Sequence, residues 1–345
     1  MNQRVDRLLA SLEEPLLVTS QVNIRYLTGF DSDNAALLLE PERIRLFTDF
    51  RYIEAARVVE GVQLVETARN LLRDLAGRLS GRIGFEAEDV TYAGYETLSE
   101  AAVELVPRRR LVEMLRVVKD DGELAAIRRA AEITSEAFHR LPHERFVGRS
   151  ERDLADWIAA QFRELGGDGP SFPPIVAAGP NAALPHAVPG ERVIGEGETV
   201  IVDAGSTFGG YCSDCTRTFA TGELPAELLR AYEVTREAQA TGVDAVSAAK
   251  ATRAADAAAR QVVDGAGLGE AFGHGLGHGV GLVVHELPYL NQESDETLAA
   301  GNVVTVEPGV YLPARGGVRI EDLVIVTDDG PDVVTTTTKE LVVVR

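Results

Sequence analysis

Residues 211–219, YCSDCTRTF, hold a C-x-x-C pair, Cys212 and Cys215, with Asp214 between them. Such a pair can be half of a zinc site or a redox dithiol. In an extended strand, however, side chains alternate, so Cys212 and Asp214 share one face and Cys215 takes the other. The two thiols then do not converge on one ion, and Asp214 becomes the residue of interest. The preceding run, TVIVDAGSTFGG, carries its apolar residues up to Asp203 and turns at glycines, which predicts a β-hairpin. With the turn centred between Phe208 and Gly209 and no bulge, Asp203 faces Asp214. Directly opposed like charges repel, and a bound cation removes the objection.

A second stretch, VVTVEPGVYLPARGGVRIEDLVIV, repeats the arrangement. A turn centred near Ala314 places Glu307 across from Glu321 if no bulge intervenes. A third, AFGHGLGHGVGLVVHELP, sets His274, His278 and His285 among glycines at alternate positions. Glycine in a strand marks close backbone approach or a ligand site, and an extended chain points His274 and His278 to the same face. His186 sits in the proline-flanked loop LPHAVPG. Four carboxylates and at least one imidazole suit two divalent metal ions, with Mn²⁺ fitting the oxygen-rich set and Co²⁺ or Zn²⁺ compatible. A dinuclear centre of that kind polarises a carbonyl and activates water, which is hydrolase chemistry.

Elements must hold these residues, and the chain of 345 residues, 45% of them hydrophobic, is long enough for two packed domains. Up to about residue 107, the runs PLLVTS, AALLLE, RIRLFT, VQLVET, RIGFE and VELVP are strand candidates between amphipathic stretches, a small α/β domain. Pro107-Arg108-Arg109-Arg110 reads as a boundary. A long helix is predicted from Asp120, with Leu124, Ile127, Ala131, Phe138 and Leu141 on one face. Ser150 and Asp153 form a capping box that opens another helix, striped by Leu154, Trp157, Ile158 and Phe162. An Ala-rich helical region from about Pro225 to Val263 is expected to break near Gly242, since glycine weakens a helix.

The formal charge of −20, from 34 basic and 54 acidic residues, opposes general roles on nucleic acid or anionic membrane. No run approaches the roughly 20 apolar residues of a membrane helix. The opening MNQRVDRLLASLEEP lacks the apolar core of a secretory signal, and two cysteines give no disulfide framework. Together these predict a cytoplasmic protein.

The order Asp203, Asp214, His278, Glu307, Glu321 resembles the five-ligand set of the pita-bread metallopeptidases, the superfamily of methionine aminopeptidase, aminopeptidase P and prolidase. NIRYLTGF, residues 23–30, is similar to a segment in the amino-terminal domain of creatinase-like and proline-specific members. HAVPG and HGLGH look proline-peptidase-like. The resemblance implies an α+β chain: a small α/β creatinase-like domain over residues 1–115, then a pita-bread catalytic domain over 116–345. It implies that Asp203 and Asp214 hold one metal and that Asp214, His278, Glu307 and Glu321 hold the other, with bridging carboxylates. Glu307 is then the general base, His186 and His285 contact substrate and the developing oxyanion, His274 lies near the proline pocket, and Arg319 lies near the metals. A homodimer is also implied.

The expected reaction is hydrolysis of the Xaa-Pro bond in dipeptides or short peptides, as a prolidase. Aminopeptidase P, acting on longer Xaa-Pro peptides, is the alternative, because His285 to Glu307 contains no Arg or Lys to anchor a dipeptide's carboxylate. Arg315 can substitute as that anchor, and Asp31 or Asp33 can meet a substrate's α-amino group. A non-catalytic peptide-binding module is the reading from another class.

Overall fold

The computed structural model describes residues 3–345. Its contacts divide the chain into two compact units, Met1–Arg116 and Val117–Arg345. In the first unit, β1 (Leu16–Val18), β2 (Ala35–Glu40), β3 (Arg43–Asp49), β4 (Gln63–Thr67), β5 (Gly81–Glu86) and β6 (Val103–Arg108) coincide with the six apolar runs. They form one mixed sheet in the order β4-β3-β2-β1-β5-β6. The parallel pairs β3/β4 and β5/β6 are joined by crossovers carrying the helices Ile53–Ala56 and Tyr92–Ser99. Strand β2 is apolar on both faces because both are covered. Leu17, Leu38, Phe47, Leu75 and Ile83 share one core.

The NIRYLTGF segment lies within and just beyond the helix Gln21–Thr28. Buried Asn23 donates to Glu86 and to Glu113, each at 2.6 Å, and accepts from Arg116 at 2.8 Å. Glu86 also accepts the backbone N–H groups of Thr19 and Ser20. Burial pushes its carboxyl up to about 7 despite those donors.

The second unit repeats one plan twice, a helix pair laid on a sheet. Helix Asp121–Arg140 opens on a capping box of Asp120 with Glu123, and Glu151–Glu164 on one of Ser150 with Asp153. Their Ile133, Phe138, Leu154, Ile158 and Phe162 pack on Val176, Val200 and Val202. Helices Ala226–Ala245 and Thr252–Gly265 belong to a second core with Val304, Val306, Val318 and Val324. The Ala-rich region therefore breaks at 246–251 and not at Gly242, which is buried inside the first of these helices. A Cβ at Gly242 would come within 2.9 Å of Val306 Cγ1, so the glycine lets the helix approach the strand and this outweighs its low propensity.

Strands β7 (Gly169–Pro170), β8 (Ile175–Ala178), β9 (Thr199–Asp203), β10 (Ser206–Phe208), β11 (Tyr211–Cys212) and β12 (Thr216–Ala220) belong to the first half of this unit. They make two sheets, β12-β9-β8 and β11-β10-β7. Strands β13 (Gly277–Gly279), β14 (Glu286–Leu290), β15 (Val303–Val306), β16 (Gly309–Leu312), β17 (Gly316–Arg319), β18 (Asp322–Thr327) and β19 (Gly330–Val333) complete it. Their sheets are β14-β13-β15-β18-β19 and β16-β17.

The first predicted hairpin exists with a different register. Phe208 pairs with Tyr211, and Asp203 faces Thr216 rather than Asp214. The turn centre is Gly209-Gly210, with φ of 57° and 80°. Two consecutive positive φ values are what a tight two-residue hairpin turn requires, and Phe208 cannot supply one cheaply. The slip is two residues, so the faces are unchanged and Asp214 stays on the side of Asp203 as a diagonal neighbour. The second hairpin keeps its predicted register: Gly309 pairs with Arg319 and Val306 with Asp322, which brings Glu307 and Glu321 opposite each other about Ala314. The thiols separate as strand alternation requires, Cys212 into one apolar cluster and Cys215 into another. Burial pushes the Cys215 thiol up to about 12, so it stays protonated.

Candidate metal centre

Five ligand-type side chains converge on one cavity of about 320 Å³ in the second unit. Asp203 comes from the end of β9, Asp214 from the segment between β11 and β12, and His278 from β13. Glu307 follows β15 and Glu321 precedes β18. Ligand atoms of Asp214, His278 and Glu321 lie within 4.8 Å of one another. His278 Nε2 is 3.1 Å from Glu307 Oε1 and 3.8 Å from Asp214 Oδ2. The glycines of this segment give the close approach predicted for them: a Cβ at Gly277 would sit 2.0 Å from the Thr305 carbonyl oxygen.

Three carboxylate oxygens, Asp203 Oδ1, Asp214 Oδ1 and Glu321 Oε1, are buried without a hydrogen-bond partner. An unpaired buried carboxylate oxygen is costly, and three around one cavity are a donor set suited to a cation. Burial, with the charge of Asp203 next, pushes the Asp214 carboxyl well above its usual range. Burial and the neighbouring Asp214 do the same to Glu321. Asp203 is raised by burial although Arg319 opposes it. Glu307 is partly buried, which raises its carboxyl, yet the hydrogen bond and charge of His278 hold it down to about 2. The reciprocal attraction overcomes burial at His278 and raises its imidazole to about 9. Its Nδ1 faces the Gly279 carbonyl at 3.1 Å, so that nitrogen carries a proton and Nε2 is the one aimed at the carboxylates.

The residues fit a pair of divalent cations, since oxygen donors dominate and one imidazole nitrogen joins them. Such cations supply Lewis acidity toward a scissile carbonyl and toward the attacking water.

His186, His274, His285 and Arg319 line the same cavity. The His285 ring centroid is 4.2 Å from that of His278, and burial lowers the pKa of His285. His274 is also lowered by burial. Its Nδ1 donates to the Gly275 carbonyl at 2.8 Å, and its Nε2 meets the Tyr311 hydroxyl at 2.9 Å. Arg319 is buried and donates to Asp203 at 2.6 Å and to Tyr311 at 2.8 Å. A chain of contacts thus runs from His274 through Tyr311 and Arg319 to Asp203. Asp33 and Asp31 belong to the first unit, where Asp33 lies 3.5 Å from Arg51 and Asp31 lies 2.9 Å from Arg25. Arg315 is exposed and ion-paired to Glu227, and it is not among the cavity residues.

Two further residues, Thr216 and Tyr311, support the site without belonging to the candidate set named above. Thr216 donates to Glu321 Oε2 at 2.6 Å and faces Asp203 in the ladder. Placing the turn at Gly-Gly would have found it. Tyr311 is four residues after Glu307, which period 2 puts on the same side.

A family model described as Metallopeptidase family M24 matches residues 125–328, and one described as Creatinase/Prolidase N-terminal domain matches residues 4–118. An uncharacterised peptidase of Bacillus subtilis is 38% identical over 335 residues, 95% of each chain. Among solved structures, an Xaa-Pro dipeptidase from Bacillus anthracis superposes with a TM-score of 0.94 at 38% identity over 99% of each chain. An X-Pro aminopeptidase from Thermotoga maritima does so with a TM-score of 0.89 at 30% identity, over 99% of this chain and 100% of that one. The chain belongs to metallopeptidase family M24, its pita-bread unit preceded by a creatinase/prolidase amino-terminal domain.

Proposed function

We propose that the protein hydrolyses the Xaa-Pro bond of dipeptides, as an Xaa-Pro dipeptidase, with residues 116–345 as the catalytic domain and residues 1–115 as an accessory domain. The observation that carries this reading is the composition of one cavity. It combines the five ligand-type side chains with Phe172, Ile175 and Pro185. An Xaa-Pro bond is a tertiary amide with no N–H and a ring that fixes φ, so its recognition rests on apolar contact with the ring. Relatives named Xaa-Pro dipeptidase, such as that of Pyrococcus horikoshii at 30% identity over 99% of each chain, support the same substrate.

In this reading Asp203, Asp214, His278, Glu307 and Glu321 hold two divalent ions, with Mn²⁺ favoured by the carboxylate majority. Glu307 takes a proton from the attacking water on a carboxylate oxygen. His186 and His285 donate to the oxygen of the scissile carbonyl as charge develops there. His274 bounds the proline pocket, Arg319 orients Asp203, and Asp33 meets the substrate's α-amino group. A cytoplasmic homodimer accompanies the proposal, supported by the family resemblance.

The test is hydrolysis of Ala-Pro, Ala-Pro-Ala and Met-Ala-Ser after Mn²⁺ loading, with Asp214→Ala as control. Turnover of Ala-Pro that the control abolishes is expected. Cleavage of Met-Ala-Ser in preference to both proline peptides would overturn the proline assignment.

A further inference from the structure

The carboxyl end of an Xaa-Pro dipeptide is an anion, for which a guanidinium or ammonium is the usual anchor. The only arginine or lysine lining the cavity, among the described residues, is Arg319. Its guanidinium already donates to Asp203, Tyr311, Thr216 and the Pro185 carbonyl, and it is 3% exposed. The net charge of −20 adds a field that disfavours a second anion.

Two neutral side chains occupy the adjoining wall. Tyr289 pairs with His278 across the β13/β14 ladder, and Asn291 lies two residues farther along, so both lean to the same side. Both line the cavity. Tyr289 is 38% exposed. Asn291 packs against Gly275, beside His274, so closely that a Cβ on that glycine would lie 2.8 Å from the asparagine Cβ. The Asn291 Oδ1 accepts the Glu293 backbone N–H at 3.0 Å. That bond fixes the orientation of the amide and leaves its NH₂ group as the available donor.

A hydroxyl and an amide NH₂ donate to a carbonyl oxygen whatever its other substituent is. A guanidinium instead favours a carboxylate through a bidentate, charge-assisted pair. We propose that Tyr289 and Asn291 form a neutral hydrogen-bonding subsite for the carbonyl at the proline's carboxyl end, so that the enzyme accepts that carbonyl as an amide or a continuing peptide as well as a free acid. This rests on the Xaa-Pro reading above and names the substrate range of that site.

The test compares kcat/KM of the Mn²⁺-loaded enzyme for Ala-Pro and Ala-Pro-NH₂. The subsite predicts values within about tenfold of each other, since each neutral hydrogen bond is worth roughly 2- to 10-fold and serves both substrates. Tyr289→Phe and Asn291→Ala should each raise KM for both substrates by about that factor, with kcat little changed. Asn291→Arg adds the missing charge at a half-buried position and should shift preference toward Ala-Pro by about tenfold or more. Ala-Pro cleaved with the amide rejected more than about 100-fold would overturn the subsite while leaving the Xaa-Pro reading intact. Unchanged KM in both truncations would overturn it as well. Failure to cleave either substrate would overturn the Xaa-Pro reading and the subsite with it.

Discussion

Thr216 offers the sharpest test of how the metal ligands are held. Its hydroxyl donates to Glu321 Oε2 at 2.6 Å and accepts from Arg319 Nε at 3.3 Å. Thr216→Val keeps the branched shape that suits a buried strand and removes only the hydroxyl. The shorter bond, to a carboxylate, is worth about 1.5–3 kcal/mol; the longer one adds little. Glu321 Oε1 is already without a protein partner, so the variant leaves the carboxylate unanchored in its side-chain contacts. A loss of about 2 kcal/mol corresponds to roughly 30-fold weaker metal binding, within the roughly 10- to 100-fold range for partners of metal ligands. Calorimetric titration of metal-free protein with Mn²⁺ at fixed pH measures it, with Thr216→Ser, which keeps the hydroxyl, expected within about threefold of the parent. Equal affinities for parent and valine variant, with the fold intact by circular dichroism, would refute the reasoning.

Glu307→Gln should lower kcat by about 10³-fold through loss of the general base, and metal content after dialysis shows whether binding has been lost as well. Gly277→Ala places a Cβ 2.0 Å from the Thr305 carbonyl oxygen; urea unfolding should show a loss of about 3 kcal/mol, and an unchanged midpoint would contradict the close β13/β15 approach. Glu86, raised from 4.5 to about 7 by burial, holds a proton in the folded chain that the unfolded chain releases between those pH values. Its contribution to stability is present in full below pH 4.5 and falls as pH rises through 7, by about 3 kcal/mol in total. Relative to Glu86→Gln, which does not titrate, the parent should lose about 2–3 kcal/mol of unfolding free energy between pH 5 and pH 8. A constant difference would show that Glu86 ionises freely.

Sequence patterning was most informative where one local rule acted alone. The six strands of the first unit and the two capping boxes of the second follow from short-range periodicity and hydrogen-bond chemistry. The glutamate hairpin is in its predicted register because Ala314, with φ of 63°, sits at the centre of the turn. The aspartate hairpin slipped because adjacent glycines permit more than one turn centre, and only backbone twist chooses between them. The break expected at Gly242 falls instead at 246–251 because the glycine serves contact with Val306, on a strand more than sixty residues later in the chain. For Thr216 and Tyr311 a turn placed at Gly209-Gly210 and period 2 give the face, while the contacts to Glu321 and Arg319 come from other strands and are not encoded locally.

The two carboxylate-bearing halves meet at the ligands themselves. Glu321 N–H donates to the Thr216 carbonyl at 3.1 Å, and the Arg217 guanidinium reaches the carbonyls of both residues. During synthesis, a chain ending before Glu307 therefore carries the aspartate hairpin without the glutamates that close the centre. The ligand set is complete only once the last strands dock, which makes metal retention a readout of completed folding.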